Sequence, residues 1–277
     1  MRKRRVRMSE ERLDLSVPIA FACREEQVAA IAFFNAALRA EESGLRQAHD
    51  LADAVARRDP DLAECLRLYG DEEGWHRQLL TEFLEWLGGS IRPMGRTTRT
   101  FYGLYARAKR MESIVLVNLM FETIGSTTYR LALRRASHPA VRQMLTILTR
   151  DESFHVPLNV HFLRAALACA EPGSRLRLRA LFQATFVALL ASTIPSRRRA
   201  ERFDRIPRPV LAKAYATELA RLFLEEDDLG VAPSSLFLKV FGVDRTAVLQ
   251  RGPSTTSIEA AERAAEREGI TVEAYRA

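Results

Sequence analysis

Apolar residues recur every three or four positions through the first two-thirds of the chain, the spacing of helices with one buried face. The first such stripe is Ala30, Phe34, Ala37, Glu41, Gly44, Ala48, Leu51 and Val55, and it predicts a helix over 24–58. Asp59-Pro60-Asp61 ends it and starts the next. A second helix is expected over 61–87, with the stripe Leu62, Leu66, Tyr69, Glu73, His76, Leu80, Phe83 and Leu87. Gly88-Gly89 stops it as a left-handed cap would, and 90–100 reads as a linker. The third helix is expected over 100–136, carrying Val115, Leu119, Glu122, Gly125, Tyr129 and Leu133 on one face. The fourth, over 139–170, carries Val141, Leu145, Leu148, Glu152, His155, Asn159 and Phe162, with a kink expected at Pro157. Beyond it lie an apolar helix over 175–192, a basic loop, a helix over 207–228 and a short helix within 233–250.

The pattern divides the chain into a basic N-terminal arm (1–20), a four-helix unit (21–170), a helical extension (171–250) and a tail (251–277). No strand signal competes, so the expected class is all-α. Composition agrees: 47% of residues are apolar and 28% charged, with only 13 Gly and 11 Pro. The net charge is +7. Part of the excess is local, in Arg2, Lys3, Arg4, Arg5 and Arg7 and again in Arg197, Arg198 and Arg199. These blocks read first as solvated surface, and otherwise as contacts for an acidic carrier protein, an anionic membrane surface or nucleic acid. Aromatic residues are not interleaved with them, which argues against nucleic acid. Three cysteines, Cys23, Cys65 and Cys169, lack metal-motif spacing and fit small core positions in a reducing cytoplasm. No apolar run is long enough to span a bilayer, and no secretory signal is evident.

The chemistry sits inside the apolar stripes. Glu73-Gly74-Trp75-His76 and Glu152-Ser153-Phe154-His155 are both Glu-x-x-His, and positions i and i+3 share one helix face. Chance supplies about 0.4 such motifs in a chain of this composition. A central Glu precedes each motif by one hairpin: Glu41 before Glu73, and Glu122 before Glu152. Four carboxylates and two imidazoles facing one core would be costly without compensation, and two divalent cations would balance the four negative charges. The oxygen and nitrogen donor set suits iron or manganese better than zinc. Glu41 and Glu42 both remain candidates for the first position. The alignment of Glu41-Glu42-Ser43-Gly44 with Glu122-Thr123-Ile124-Gly125 favours Glu41, with a glycine leaving room beside the cations in each half. Glu72 and Asp151 read as solvated neighbours of Glu73 and Glu152. Tyr69 and Tyr129 lie along the same faces as hydrogen-bond donors, redox-active phenols or ordinary core residues. His49 and His161 read as surface or core-edge residues, and His138 as a turn residue. Trp75 and Phe154 read as packing residues, while Asn118, Thr123, Ser126 and Thr127 are candidates to line a pocket.

Over 24–170 this pattern resembles the ferritin-like di-iron carboxylate superfamily, in which two helices give Glu and two give Glu-x-x-His. The resemblance implies a ferritin-like four-helix bundle and the metal ligands Glu41, Glu73, His76, Glu122, Glu152 and His155. It implies two iron ions, with manganese as a possible substitute, and reaction with dioxygen or peroxide. Three readings follow. The first is an oxygenase or oxidase that hydroxylates, N-oxygenates or desaturates a small or carrier-bound hydrophobic substrate. It would draw electrons from a separate reductase or ferredoxin, since no Cys-x-x-Cys pair is present. The second is an iron- or peroxide-handling protein, a cage or homodimer. The third is a metal-free helical binding protein whose buried acids pair with arginine.

Overall fold

The computed structural model describes residues 2–105, 108, 110–171 and 173–249. Among them every regular element is a helix, and the class is all-α. The chain runs through α1 (Arg2–Glu10), α2 (Arg24–Val55), α3 (Pro60–Trp86), α4 (Arg96–Tyr105) and α5 (Met111–Leu133). It continues through α6 (Pro139–Ala168), α7 (Ser174–Asp204), α8 (Arg208–Glu225), a 3₁₀ turn (Asp227–Leu229), α9 (Ser235–Val240) and α10 (Arg245–Leu249). No helix is long and apolar enough to cross a membrane among the described residues.

Short connections make α2–α3 and α5–α6 into hairpins. Asp59 caps α3 by accepting from the Leu62 amide at 2.9 Å, and Pro60 opens the helix where a missing N–H costs nothing. Gly88 ends it in the left-handed region (φ 72°), with the Gly89 amide bonded back to the Leu84 carbonyl. The two hairpins meet through α2 against α5 and α3 against α6. Their facing stripes bury Phe34, Leu38, Leu80, Phe83, Leu116, Leu119, Leu145 and Leu148 in one continuous core. Burying side chains of this size contributes about 1.5–3 kcal/mol each.

The sequence reading needs correcting at five places. Residues 2–10 are helical, and Arg4 is buried rather than solvated. The long third helix is two helices, α4 and α5. The residues between them are helix formers, so no local signal marks the break. Across that break the Tyr105 hydroxyl donates to the Ile114 carbonyl at 3.0 Å. The basic stretch after 192 is helical, because α7 runs on to Asp204. Arginine is a good helix former, and Ala200 and Phe203 anchor the last turns, Phe203 against Phe33 and Phe34. Residues 233–249 form two short helices instead of one. Cys23 and Cys169 are exposed, and only Cys65 is half-buried. The tail over 251–277 lies outside the described residues.

α7 packs across α2 and α5, and α8 lies on α5. Phe182, Phe186 and Phe223 extend the core into this layer, with Phe186 edge-on to Phe237 at 4.0 Å. The helices carrying the site are thereby braced from outside.

Candidate metal centre

Halfway along the two hairpins, α2, α3, α5 and α6 bring Glu41, Glu73, His76, Glu122, Glu152 and His155 to one level. All six are buried, the two imidazoles completely. Glu42, one residue on, turns to the outside and pairs with Arg39 at 2.5 Å. It is Glu41 that faces the cluster.

The Nδ1 atom of each imidazole points inward. His76 Nδ1 lies 3.1 Å from Glu41 Oε2. His155 Nδ1 lies 3.2 Å from Glu73 Oε1, 3.3 Å from Glu152 Oε2 and 3.5 Å from Glu122 Oε2. Glu73 therefore reaches across to the histidine of the opposite motif. Two sets of donor atoms close enough to share one ion result: Glu41, Glu73 and His76, and Glu73, Glu122 and His155. Glu73 belongs to both. These buried acidic and imidazole groups could hold metal ions.

Three atoms in this cluster have no hydrogen bond: Glu73 Oε1, Glu152 Oε2 and His155 Nδ1. His155 Nδ1 lies within 3.3 Å of the other two, yet none is satisfied. Among the described residues no Arg or Lys side chain pairs with the four inner carboxylates; their ion pairs are with the two histidines alone. The metal-free protein must neutralise the cluster with protons. Burial and then the neighbouring Glu41 push Glu73 well above the usual carboxyl range, and burial and Glu122 do the same to Glu152. Burial opposes the charged form of His76, but Asp151 and Glu41 outweigh it and push the ring up to about 10. Burial also opposes charge on Glu122, but the adjoining Glu152 carboxyl, the His155 ring and the Tyr69 hydroxyl outweigh it and hold it at about 2.

Two further acids, for which the sequence predicts solvent exposure, are fully buried: Glu72 and Asp151. Each faces the outer nitrogen of a histidine from the other hairpin. Asp151 Oδ2 lies 3.0 Å from His76 Nε2, and Glu72 Oε2 lies 3.3 Å from His155 Nε2. The signal was present, since an acid immediately precedes the Glu of each Glu-x-x-His. Glu72, His76 and Asp151 form a third group with metal-binding spacing. Arginines already supply cations there: Arg4 contacts both acids, and Arg150 contacts Asp151 at 2.9 Å. Among the described residues the inner cluster has no such cation, and the outer one does.

Two phenols complete the inner wall. The Tyr129 hydroxyl donates to Glu41 Oε1 at 3.1 Å. The Tyr69 hydroxyl donates to Glu122 Oε1 and accepts from Asn118 Nδ2 at 2.9 Å. Burial and then the nearby carboxylates keep both phenols protonated far above neutral pH. Asn118 also donates to Asn159 at 3.1 Å, and Asn159 donates to the His155 carbonyl at 2.9 Å. α6 continues through Pro157, two residues past His155.

Gly44 does what the sequence alignment asked of it: a Cβ there would sit 3.0 Å from the Glu73 carboxyl carbon. Gly125 does not, since its nearest neighbour would be Tyr129 at an ordinary 3.7 Å. Thr123 and Thr127 bond carbonyls of their own helix at 2.7 Å instead of lining a pocket. His49 is half-buried near Asp71, and His161 is exposed. His138 stacks by Trp86 before Pro139. Phe154 packs beneath Arg4, and Trp75 is buried beside His76.

Compared with known proteins, the chain matches no family model, no curated protein and no solved structure.

Proposed function

We propose that this chain is a ferritin-like di-iron carboxylate protein that oxidises a small organic molecule with dioxygen. One observation carries the reading. Three buried donor atoms, Glu73 Oε1, Glu152 Oε2 and His155 Nδ1, are unsatisfied within a ring of four carboxylates that pairs with no arginine or lysine among the described residues. A metal-free helical protein with arginine-paired acids accounts for Glu72 and Asp151 but not for these. The donors are all oxygen and nitrogen, the set that suits iron or manganese. Two helix hairpins, each giving a central Glu and a Glu-x-x-His, support the superfamily resemblance.

Glu41, Glu73, His76, Glu122, Glu152 and His155 would hold the ions, with Glu73 shared between them. Iron bound there would supply the redox chemistry by which dioxygen is reduced. The chain's own groups do the rest. Tyr129 orients Glu41, and Tyr69 orients Glu122. Asp151 and Glu72 bond the outer nitrogens of the rings and aim their inner ones. Beside the carboxylates, and lined also by Tyr129 and Phe121, is a cavity of about 20 Å³. That is room for a bound ion or one water-sized molecule among the ligands. Ser43 lines this cavity and also a larger one of about 300 Å³ between α2 and the start of α5. Leu51, Tyr105, Met111 and Ile114 give that chamber apolar walls, and Arg46 and Asp50 lie at its edge. It is the side from which an organic substrate would approach.

The test is anaerobic loading with Fe(II), metal analysis, then mixing with oxygen. Close to two irons per chain and an oxygen-dependent absorbance change whose decay is hastened by a substrate are expected. Failure to retain iron would sink the metal reading. Mineral growth to many irons per chain would replace the oxygenase reading with iron storage.

A further inference from the structure

The N-terminal helix inserts Arg4 into the protein next to the metal centre. Arg4, on α1, is 5% exposed. Its Nε lies 2.9 and 3.0 Å from the two oxygens of Glu72, and its Nη2 lies 2.5 Å from Glu72 Oε1 and 3.2 Å from Asp151 Oδ1. The guanidinium sits 4.4 Å from the centre of the Phe154 ring, which supports it from below. Arg4 thus bridges two acids from different hairpins. Those same acids bond the outer nitrogens of His155 and His76. Behind them Arg150 binds Asp151 and also Glu11, just past α1, at 2.8 Å.

Two fully buried carboxylates need positive charge to remain side by side. A planar fork that touches both fixes their separation and leaves Glu72 Oε2 and Asp151 Oδ2 turned towards the rings. With their outer nitrogens so engaged, both imidazoles keep their inner nitrogens facing the carboxylate ring. We infer that Arg4 is a positioning residue of the metal centre, joining α1 through Glu72 and Asp151 to both histidines. The inference rests on the di-metal reading above. It makes the N-terminal helix a working part of the site.

Cobalt(II) is the probe, since its visible absorption reports ligand geometry directly. The full-length chain would be titrated as wild type and as Arg4→Ala, Arg4→Gln and Arg4→Lys, with Arg5→Ala as the exposed neighbour. Thermal unfolding would be followed alongside. Arg4→Ala and Arg4→Gln should bind cobalt about 10- to 100-fold more weakly, the usual loss when a group orienting a ligand is removed. Their absorption bands should shift, and millimolar guanidinium should restore the wild-type bands in Arg4→Ala. Arg5→Ala should match wild type. A lowered melting temperature with unchanged cobalt affinity and bands would make Arg4 a purely structural residue and overturn the inference. If Arg4→Ala does not fold, Arg4→Lys decides: it keeps the charge but not the fork, and unchanged bands there would equally overturn it. A wild-type chain that binds no cobalt would fail at the earlier step, and the inference would fall with the metal centre itself.

Discussion

Stripping the cations from the loaded protein should cost several kcal/mol of folding stability, and the geometry sets the scale. Glu73 Oε1, Glu152 Oε2 and His155 Nδ1 are buried without a hydrogen bond. An unsatisfied buried polar atom costs about 1–3 kcal/mol, so the three together cost about 3–9 kcal/mol. Mass action gives a similar figure from the other direction. A cation at a hundred times its dissociation constant stabilises the fold by about 2.7 kcal/mol per site, and two sites give about 5 kcal/mol. At about 2–4 °C per kcal/mol for a protein near this size, the midpoint should rise by about 10–20 °C on loading. The assay is a calorimetric melt of the chelated protein against the same protein with excess Fe(II) under nitrogen, or with Mn(II) in air. A paired His76→Ala, His155→Ala variant should lose most of the rise. The reasoning fails if the midpoint does not move on loading, or if the double variant shifts as far as the parent.

Further expectations follow from the same groups. Cation uptake should release protons and tighten as pH rises, because Glu73, Glu152, His76 and His155 must give up theirs; an indicator dye in weak buffer would count them. The metal-free protein should lose stability towards both extremes of pH. His76, raised from 6.5 to about 10, contributes stability that is complete below pH 6.5 and lost as pH climbs through about 10. Glu122, lowered from 4.5 to about 2, contributes stability held above pH 4.5 and lost as pH falls through about 2. Melts across pH in the presence of chelator would check both signs. Gly44→Ala should displace the Glu73 carboxylate and weaken cobalt binding about tenfold, whereas Gly125→Ala should leave it unchanged. Tyr129→Phe should cost the metal-free fold about 1–2 kcal/mol, measured by urea unfolding, by removing a donor to Glu41; equal stability would mean that bond contributes nothing.

The helices and the six inner residues were legible because both depend on local spacing. A repeat of 3.6 residues marks a buried face, and Glu-x-x-His puts two donors on it. Glu41 could be told from Glu42 only by alignment with Glu122, until Arg39 was seen to draw Glu42 outward. Glu72 and Asp151 were misread because an acid beside a stripe residue usually faces water. Their burial depends on Arg4, sixty-eight residues from Glu72 in sequence. Nothing local distinguishes Arg4 from Arg2 or Arg5 in the basic run. The break between α4 and α5 was hidden because it falls in a stretch of good helix formers.

The bracing of each imidazole by an acid from the opposite hairpin also bears on assembly. Neither α2–α3 nor α5–α6 carries a finished half of the centre. His76 waits for Asp151, and His155 waits for Glu72. Separately expressed hairpins should therefore be poor chelators, and strong cation capture should begin only when the two have docked. The ions would then act as a late rivet through the molecule, and the moment of their capture would time the closing of its two halves.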